Sequence, residues 1–90
     1  MEFEWDPHKE VSNIVKHGIN FHEAASIFGD PLSVTFFDPD HSIEEQRFIT
    51  FGETRFGDLL IVSHTDRLNK IRIISARKMT RQERKIYETG

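Results

Sequence analysis

The chain has no cysteine. Neither a disulfide framework nor a thiolate zinc site is available to it, which suits a reducing compartment. No apolar run approaches the roughly 20 residues that a membrane helix requires. No basic start leads into an apolar stretch, as a secretory signal would. Glycine and proline number only five and three; Pro7, Gly18, Gly29, Pro31, Pro39 and Gly57 fall where elements start, stop or turn. Internal repeats, low-complexity segments and linkers are absent. What remains is one soluble domain over residues 1–90, expected in the cytoplasm and away from any membrane. Eight phenylalanines, Trp5 and the Ile/Val/Leu runs supply its core, and a chain of this size buries roughly 60–65% of its unfolded surface.

Positive charge is scarce in the first half. Residues 1–46 carry ten acids and two bases, a balance of −8; residues 47–90 carry five acids and ten bases, a balance of +5. Such asymmetry suggests one surface fit for an anion and one for a cationic partner. Folding can equally interleave the halves and pair the charges.

Phe3-Glu4-Trp5 alternates as a short edge strand does. Asp6-Pro7 is a helix start, and Gly18 a left-handed stop, so the first helix covers Pro7 to His17. Val11, Ile14 and Val15 make its apolar stripe. Asn20 and Glu23 form a capping-box pattern ahead of Phe21, Ala24, Ala25 and Phe28, and Gly29-Asp30-Pro31 ends that second helix. Strands are expected over Leu32–Phe37, Arg47–Phe51, Leu59–Ser63 and Ile71–Ser75, with turns at Asp38–Ser42, Thr54–Asp58 and Thr65–Asn69. Thr80 with Glu83 caps a final helix. The order is β-α-α-β-β-β-β-α, an α+β fold. An antiparallel sheet is expected to pack against a helical hairpin and a C-terminal helix.

Several strings in this order resemble the BrnT family: Phe3-Glu4-Trp5-Asp6, Lys16-His17-Gly18-Ile19, Phe21-His22-Glu23-Ala24-Ala25, Asp38-Pro39-Asp40-His41-Ser42, Glu45-Gln46-Arg47 and Arg72-Ile73-Ile74-Ser75-Ala76-Arg77. Glu83-Arg84 and Tyr87 also fit, so the likeness runs from about residue 3 to residue 88. The resemblance implies a RelE-like fold and an mRNA-cleaving toxin of a type II toxin–antitoxin pair. It also implies a cognate BrnA-like, DNA-binding antitoxin that holds the toxin inactive, with operator DNA met only through the complex. The substrate would be mRNA, free or presented by the ribosome.

Metal-free RNA cleavage needs a base for the 2′-hydroxyl proton, an acid for the leaving oxygen, and cations where charge builds on phosphorus. Arginine suits the last task, because its fork matches phosphate oxygens and stays charged. Arg77, at the exit of the last strand, is the first candidate, and Arg47 the second; a surface ion pair with Glu44 or Glu45 is the plainer account of Arg47. Arg72 and Arg77 differ by an odd number of positions, so a regular strand sends them to opposite faces, one able to pair an internal carboxylate while the other faces ligand; Arg72 stands as a substrate-binding candidate with that structural alternative. Arg81 and Arg84 share a helix face, where they can bind substrate, solvate the surface or pair with an acid. Lys16 and His17 complement the end of their helix, and as a catalytic pair they can also supply a charge and a general base; His41 is a further candidate for proton transfer. Tyr87 can donate a proton, stack on a base, or simply close the core with its hydroxyl at the rim. Asp38, Asp40 and His41 are the only grouping with metal-ligand chemistry, and they read more simply as a turn; no metal or other cofactor is expected. His64, in a buried strand, is expected to be a satisfied core histidine. A non-catalytic partner module and a metal-dependent nuclease are the rival functions.

Overall fold

The computed structural model describes residues 1–89. Its strands are β1 (Glu2–Trp5), β2 (Val34–Phe37), β3 (Phe48–Glu53), β4 (Leu59–Arg67) and β5 (Lys70–Lys78); its helices are α1 (Pro7–His17), α2 (Phe21–Ala25) and α3 (Arg81–Thr89). The sheet runs in the order β1-β5-β4-β3-β2. β2 through β5 pair antiparallel, as their short connections require. β1, however, lies parallel to β5, with Phe3 opposite Ile71 and Trp5 opposite Ile73. The sheet is therefore mixed rather than antiparallel. No turn joins β1 to β5, so hairpin geometry sets no direction between them.

Local chemistry accounts for the boundaries. Asp6 accepts from the His8 amide at 2.8 Å, and Gly18 closes α1 with φ of 70°. Asn20 accepts from the Glu23 amide, but α2 lasts only five residues before Ser26–Gly29 tightens into a 3₁₀ turn. That turn presses on β3 at Gly52, where an added Cβ would lie 2.9 Å from the Cβ of Ile27. Leu68 and Asn69, both at positive φ, make a two-residue turn. β4 consequently extends through Thr65–Arg67, residues assigned to a turn from the sequence, and β5 begins one residue earlier than expected, at Lys70.

Each face of the sheet has its own core. Ile19, Phe21, Ala24 and Ile27 pack on Leu60, Val62, Ile73 and Ala76 under the helical hairpin. On the other face Phe51, Ile61 and Met79 meet Ile49, Leu59 and Tyr87. α3 covers that second face only toward Leu59 and Phe51; the end around Ser63 and Ser75 stays open.

Helix α1 reverses the expected packing. Val11, Ile14 and Val15 are 62%, 44% and 82% exposed, while Asn13 is buried. β1 accompanies β5 only as far as Ile73, which leaves the edge of β5 beyond it in want of a partner. Asn13 fills that need: its Oδ1 accepts from the Ala76 amide at 3.0 Å, and its Nδ2 donates to the Ile19 carbonyl at 2.9 Å. The helical period is real, but a polar face meets the sheet edge.

A β-bulge decides the arginine faces. Ser63 pairs with Ser75 and His64 with Ile73, so Ile74 is an extra residue in β5. Ile73 and Ala76, three apart, both enter the core beneath the hairpin. Arg72 and Arg77 consequently share the opposite face, and the rule for a regular strand fails for them.

Candidate anion-binding cleft

On the open face of the sheet lies a cleft of about 290 Å³, floored by Ile61, Ser63 and Ser75 and rimmed by His41, Arg47 and Arg77. The Asp38–Ser42 turn brings its rim together. The Asp38 amide donates to the Arg47 carbonyl at 2.9 Å, prolonging the β2–β3 ladder beyond Phe37 and Phe48. The Ser42 hydroxyl donates to the Asp38 carbonyl and accepts from the Arg47 amide. Asp38 Oδ2 lies 2.9 Å from His41 Nδ1. When that nitrogen carries the proton, Nε2 of the exposed imidazole is left as an acceptor.

Arg47 has no carboxylate partner among the described residues. Glu45 is bonded instead to Arg67, at 3.0 Å, and Arg47 Nε is buried without a hydrogen bond in the protein. An unpaired buried donor is costly, and no group among the described residues offsets that cost here. Arg77 differs. Its Nη1 and Nη2 donate to Glu83 at 2.7 and 2.8 Å, and these bonds raise its pKa above the ordinary arginine value. Glu83 also accepts from the Thr80 amide at 2.8 Å, completing the helix cap. The Nε of Arg77 makes no hydrogen bond to another described residue.

The other sequence candidates are dispersed. Arg72 Nη1 donates to Glu4 at 2.8 Å, tying β5 to β1. Lys16 and His17 line a separate cleft of about 430 Å³ between α1 and β5; the two clefts share Ile74 and Ser75. Arg81 and Arg84 are exposed on α3 and pair with no acid among the described residues. The Tyr87 hydroxyl donates to Asp30 at 2.6 Å, and Asp30 also accepts from the Leu32 and Glu53 amides. Tyr87 thus seats α3 on the turn before β2. Asp38 holds His41 while Asp40 lines a neighbouring cleft with Glu44 and Glu45. Among the described residues no three His, Asp or Glu side chains gather as a metal would require.

His64 is only half satisfied. Its Nε2 lies 2.7 Å from Thr50 Oγ1, but its buried Nδ1 has no partner. Burial pushes its pKa below the ordinary histidine value, against a smaller opposing pull from Asp66. Two further residues escaped the sequence reading. The Thr80–Glu83 capping pattern located Glu83, yet nothing local revealed its hold on Arg77. Asn13, a polar residue between Val11 and Ile14, carried a signal in being out of place.

The fold and cleft define a class: a small α+β domain with two arginines, Arg47 and Arg77, beside a cleft on one face of its sheet. The family model for "ribonuclease toxin, BrnT, of type II toxin-antitoxin system" matches residues 5–83. The chain belongs to that family. Its fold is similar to that of the ribonuclease toxin BrnT of Brucella abortus, known from a 1.1 Å crystal structure, with a TM-score of 0.66. The two are 21% identical, over 90% of this chain and 99% of the other. A search of curated protein sequences found no match. No helix among the described residues is long and apolar enough to cross a membrane.

Proposed function

We propose that this member of the BrnT ribonuclease toxin family is a RelE-like endoribonuclease that cleaves mRNA in the cytoplasm without a metal. The observation that carries the reading is the meeting of Arg47, Arg77 and His41 around one small cleft. In this reading Arg47 and the Nε edge of Arg77 hold the non-bridging oxygens of the scissile phosphate. Their charge counts most in the transition state, when negative charge on those oxygens rises. His41, oriented by Asp38, accepts the 2′-hydroxyl proton at Nε2. The 2′-oxygen bonds to phosphorus, the bond to the 5′-oxygen breaks, and water protonates that oxygen. The products are a 2′,3′-cyclic phosphate and a 5′-hydroxyl. Lys16 and His17 line the neighbouring cleft and take no step at phosphorus.

A toxin of this family implies an antitoxin. In our reading it is BrnA-like, covers the Arg47/Arg77 face, and provides the complex with its only contact to operator DNA. The net charge of −3 gives weak long-range steering toward free RNA, which favours mRNA presented by the ribosome.

Purified protein incubated with RNA in excess EDTA should yield fragments ending in 2′,3′-cyclic phosphate. His41→Ala should lose about a hundredfold or more in rate, the range of a general base, while keeping its thermal stability. Activity that vanishes with EDTA and returns with a divalent ion would reject the metal-free mechanism. RNA bound but left intact would make the protein a non-catalytic partner module.

A further inference from the structure

We propose that the cleft between α1 and β5 is a second nucleic-acid subsite, one that holds the phosphodiester next to the scissile one. The proposal rests on the ribonuclease reading above. The cleft measures about 430 Å³, within the range of pockets that take small organic groups. Lys9, Ser12 and Lys16, spaced three and four apart, present one helix face to it, and His8 and His17 flank them.

Its charge is unusual for this chain. The first half carries ten acids, yet none lines this cleft. Glu10, the one acid within α1, accepts instead from the Phe21 amide at 2.9 Å. Four other surface clefts among the described residues each include a carboxylate in their lining: Glu45, Asp30, Glu88 or Asp38. Lys9 also stands in the first turn of α1, where a cation opposes the helix dipole. Helix stability therefore does not explain Lys9; an anion beside it does.

Continuity supplies the remaining argument. Ile74 and Ser75 border both clefts, so a strand crossing the bulge passes from the arginines to the lysines without leaving the surface. The bulge that brings Arg72 and Arg77 to one face also joins the two clefts. The ligand is the sugar–phosphate backbone, recognised by its charge and its hydroxyls and not by base identity.

The test uses a fluorescent, non-cleavable 2′-O-methyl RNA hexamer and a matched hexamer whose linkages flanking the central one are uncharged methylphosphonates. Wild-type protein should bind the charged hexamer about tenfold more tightly at low salt, and Lys9→Gln/Lys16→Gln should abolish the difference. The variant's salt slope should also fall by about 0.7, the amount expected for the one single-strand phosphate that the two lysines hold. Equal affinities for the two hexamers in the wild type would overturn the proposal, a result that does not depend on the variant's folding. An undiminished difference or slope in a folded variant would overturn it too. Unmodified RNA of the same sequence separates the two readings. If it stays intact while binding behaves as stated, the catalytic reading falls and the subsite stands. If it is cleaved while the two lysines leave binding untouched, the subsite falls and catalysis stands.

Discussion

Arg77 and Glu83 form a two-pronged pair, Nη1 to Oε1 at 2.7 Å and Nη2 to Oε2 at 2.8 Å. The same carboxylate accepts from the Thr80 amide, so one side chain joins the end of β5 to the start of α3. Hydrogen bonding from Arg77, opposed by partial burial and aided by Thr80, holds the Glu83 pKa down at about 2. Two of Arg77's nitrogens are thereby committed, and its direction is fixed before any anion arrives. In the proposed reaction Glu83 is a positioning residue, acting through Arg77.

Glu83→Gln should cost about 1–2 kcal/mol, combining a weakened helix cap with a lost, partly exposed ion pair. The pH dependence has a defined sign. A carboxyl with a depressed folded-state pKa contributes stability above its ordinary value of 4.5, and that contribution is lost as the pH falls toward about 2. Urea titrations between pH 2.5 and 5 should show a shallower acid slope in the variant. An identical slope would mean that Glu83 is not depressed in the native state.

Tyr87→Phe should lower stability by about 1–2 kcal/mol, since it removes a hydrogen bond to a charged acceptor, and should leave RNA cleavage unchanged. Burial, then the bond to Asp30, raises the tyrosine pKa to about 12 from 10.0. For an acid whose folded pKa is raised, the stabilisation is complete below 10 and disappears as the pH rises through about 12. Chemical denaturation at pH 7 and 11, with cleavage assays alongside, tests both halves. A loss of cleavage without a loss of stability would return Tyr87 to the substrate.

The sequence was most informative where chemistry is local. Asp6-Pro7, Asn20 with Glu23, Thr80 with Glu83 and Gly18 each act within a few residues, and the helices start and stop at them. The α+β class follows from such signals in series. The direction of β1 was hidden because its partner lies near residue 70, and no local rule links them. The bulge at Ile74 was hidden because it is a mismatch between two strands and belongs to neither alone. For the cleft, the residue types were legible: Arg47, Arg77 and His41 were all singled out. Lys16 and His17 were singled out too, and only the placement of α1 at the edge of β5 separates them from that cleft.

His64 should make the fold lose stability as the pH falls below neutral. Its imidazole is buried, with Phe28 edge-on at 4.9 Å and Phe48 stacked at 5.9 Å. Its pKa is held below the ordinary 6.5, so the unfolded chain takes up the proton first. The neutral ring's contribution is complete above 6.5 and declines as the pH drops toward the lower folded value. His64→Gln, which can keep a bond to Thr50, should flatten urea midpoints between pH 5 and 7.5. A steeper dependence in the variant would contradict the buried neutral ring.

Arg47→Lys separates charge from geometry. Lysine keeps the positive charge but has neither the fork nor the Nε–H that lies buried and unbonded here. Arg47 has no carboxylate partner among the described residues, so no ion pair is broken. The melting temperature should therefore move by only a degree or two, corresponding to less than about 0.5 kcal/mol. The cleavage rate should fall by about 10²–10³, the usual cost of removing one donor aimed at a developing oxyanion. Rate and melting temperature measured on the same preparation decide the matter. A rate near wild type would remove Arg47 from the phosphate, and a large drop in melting temperature would make it a structural residue of the Asp38–Arg47 loop.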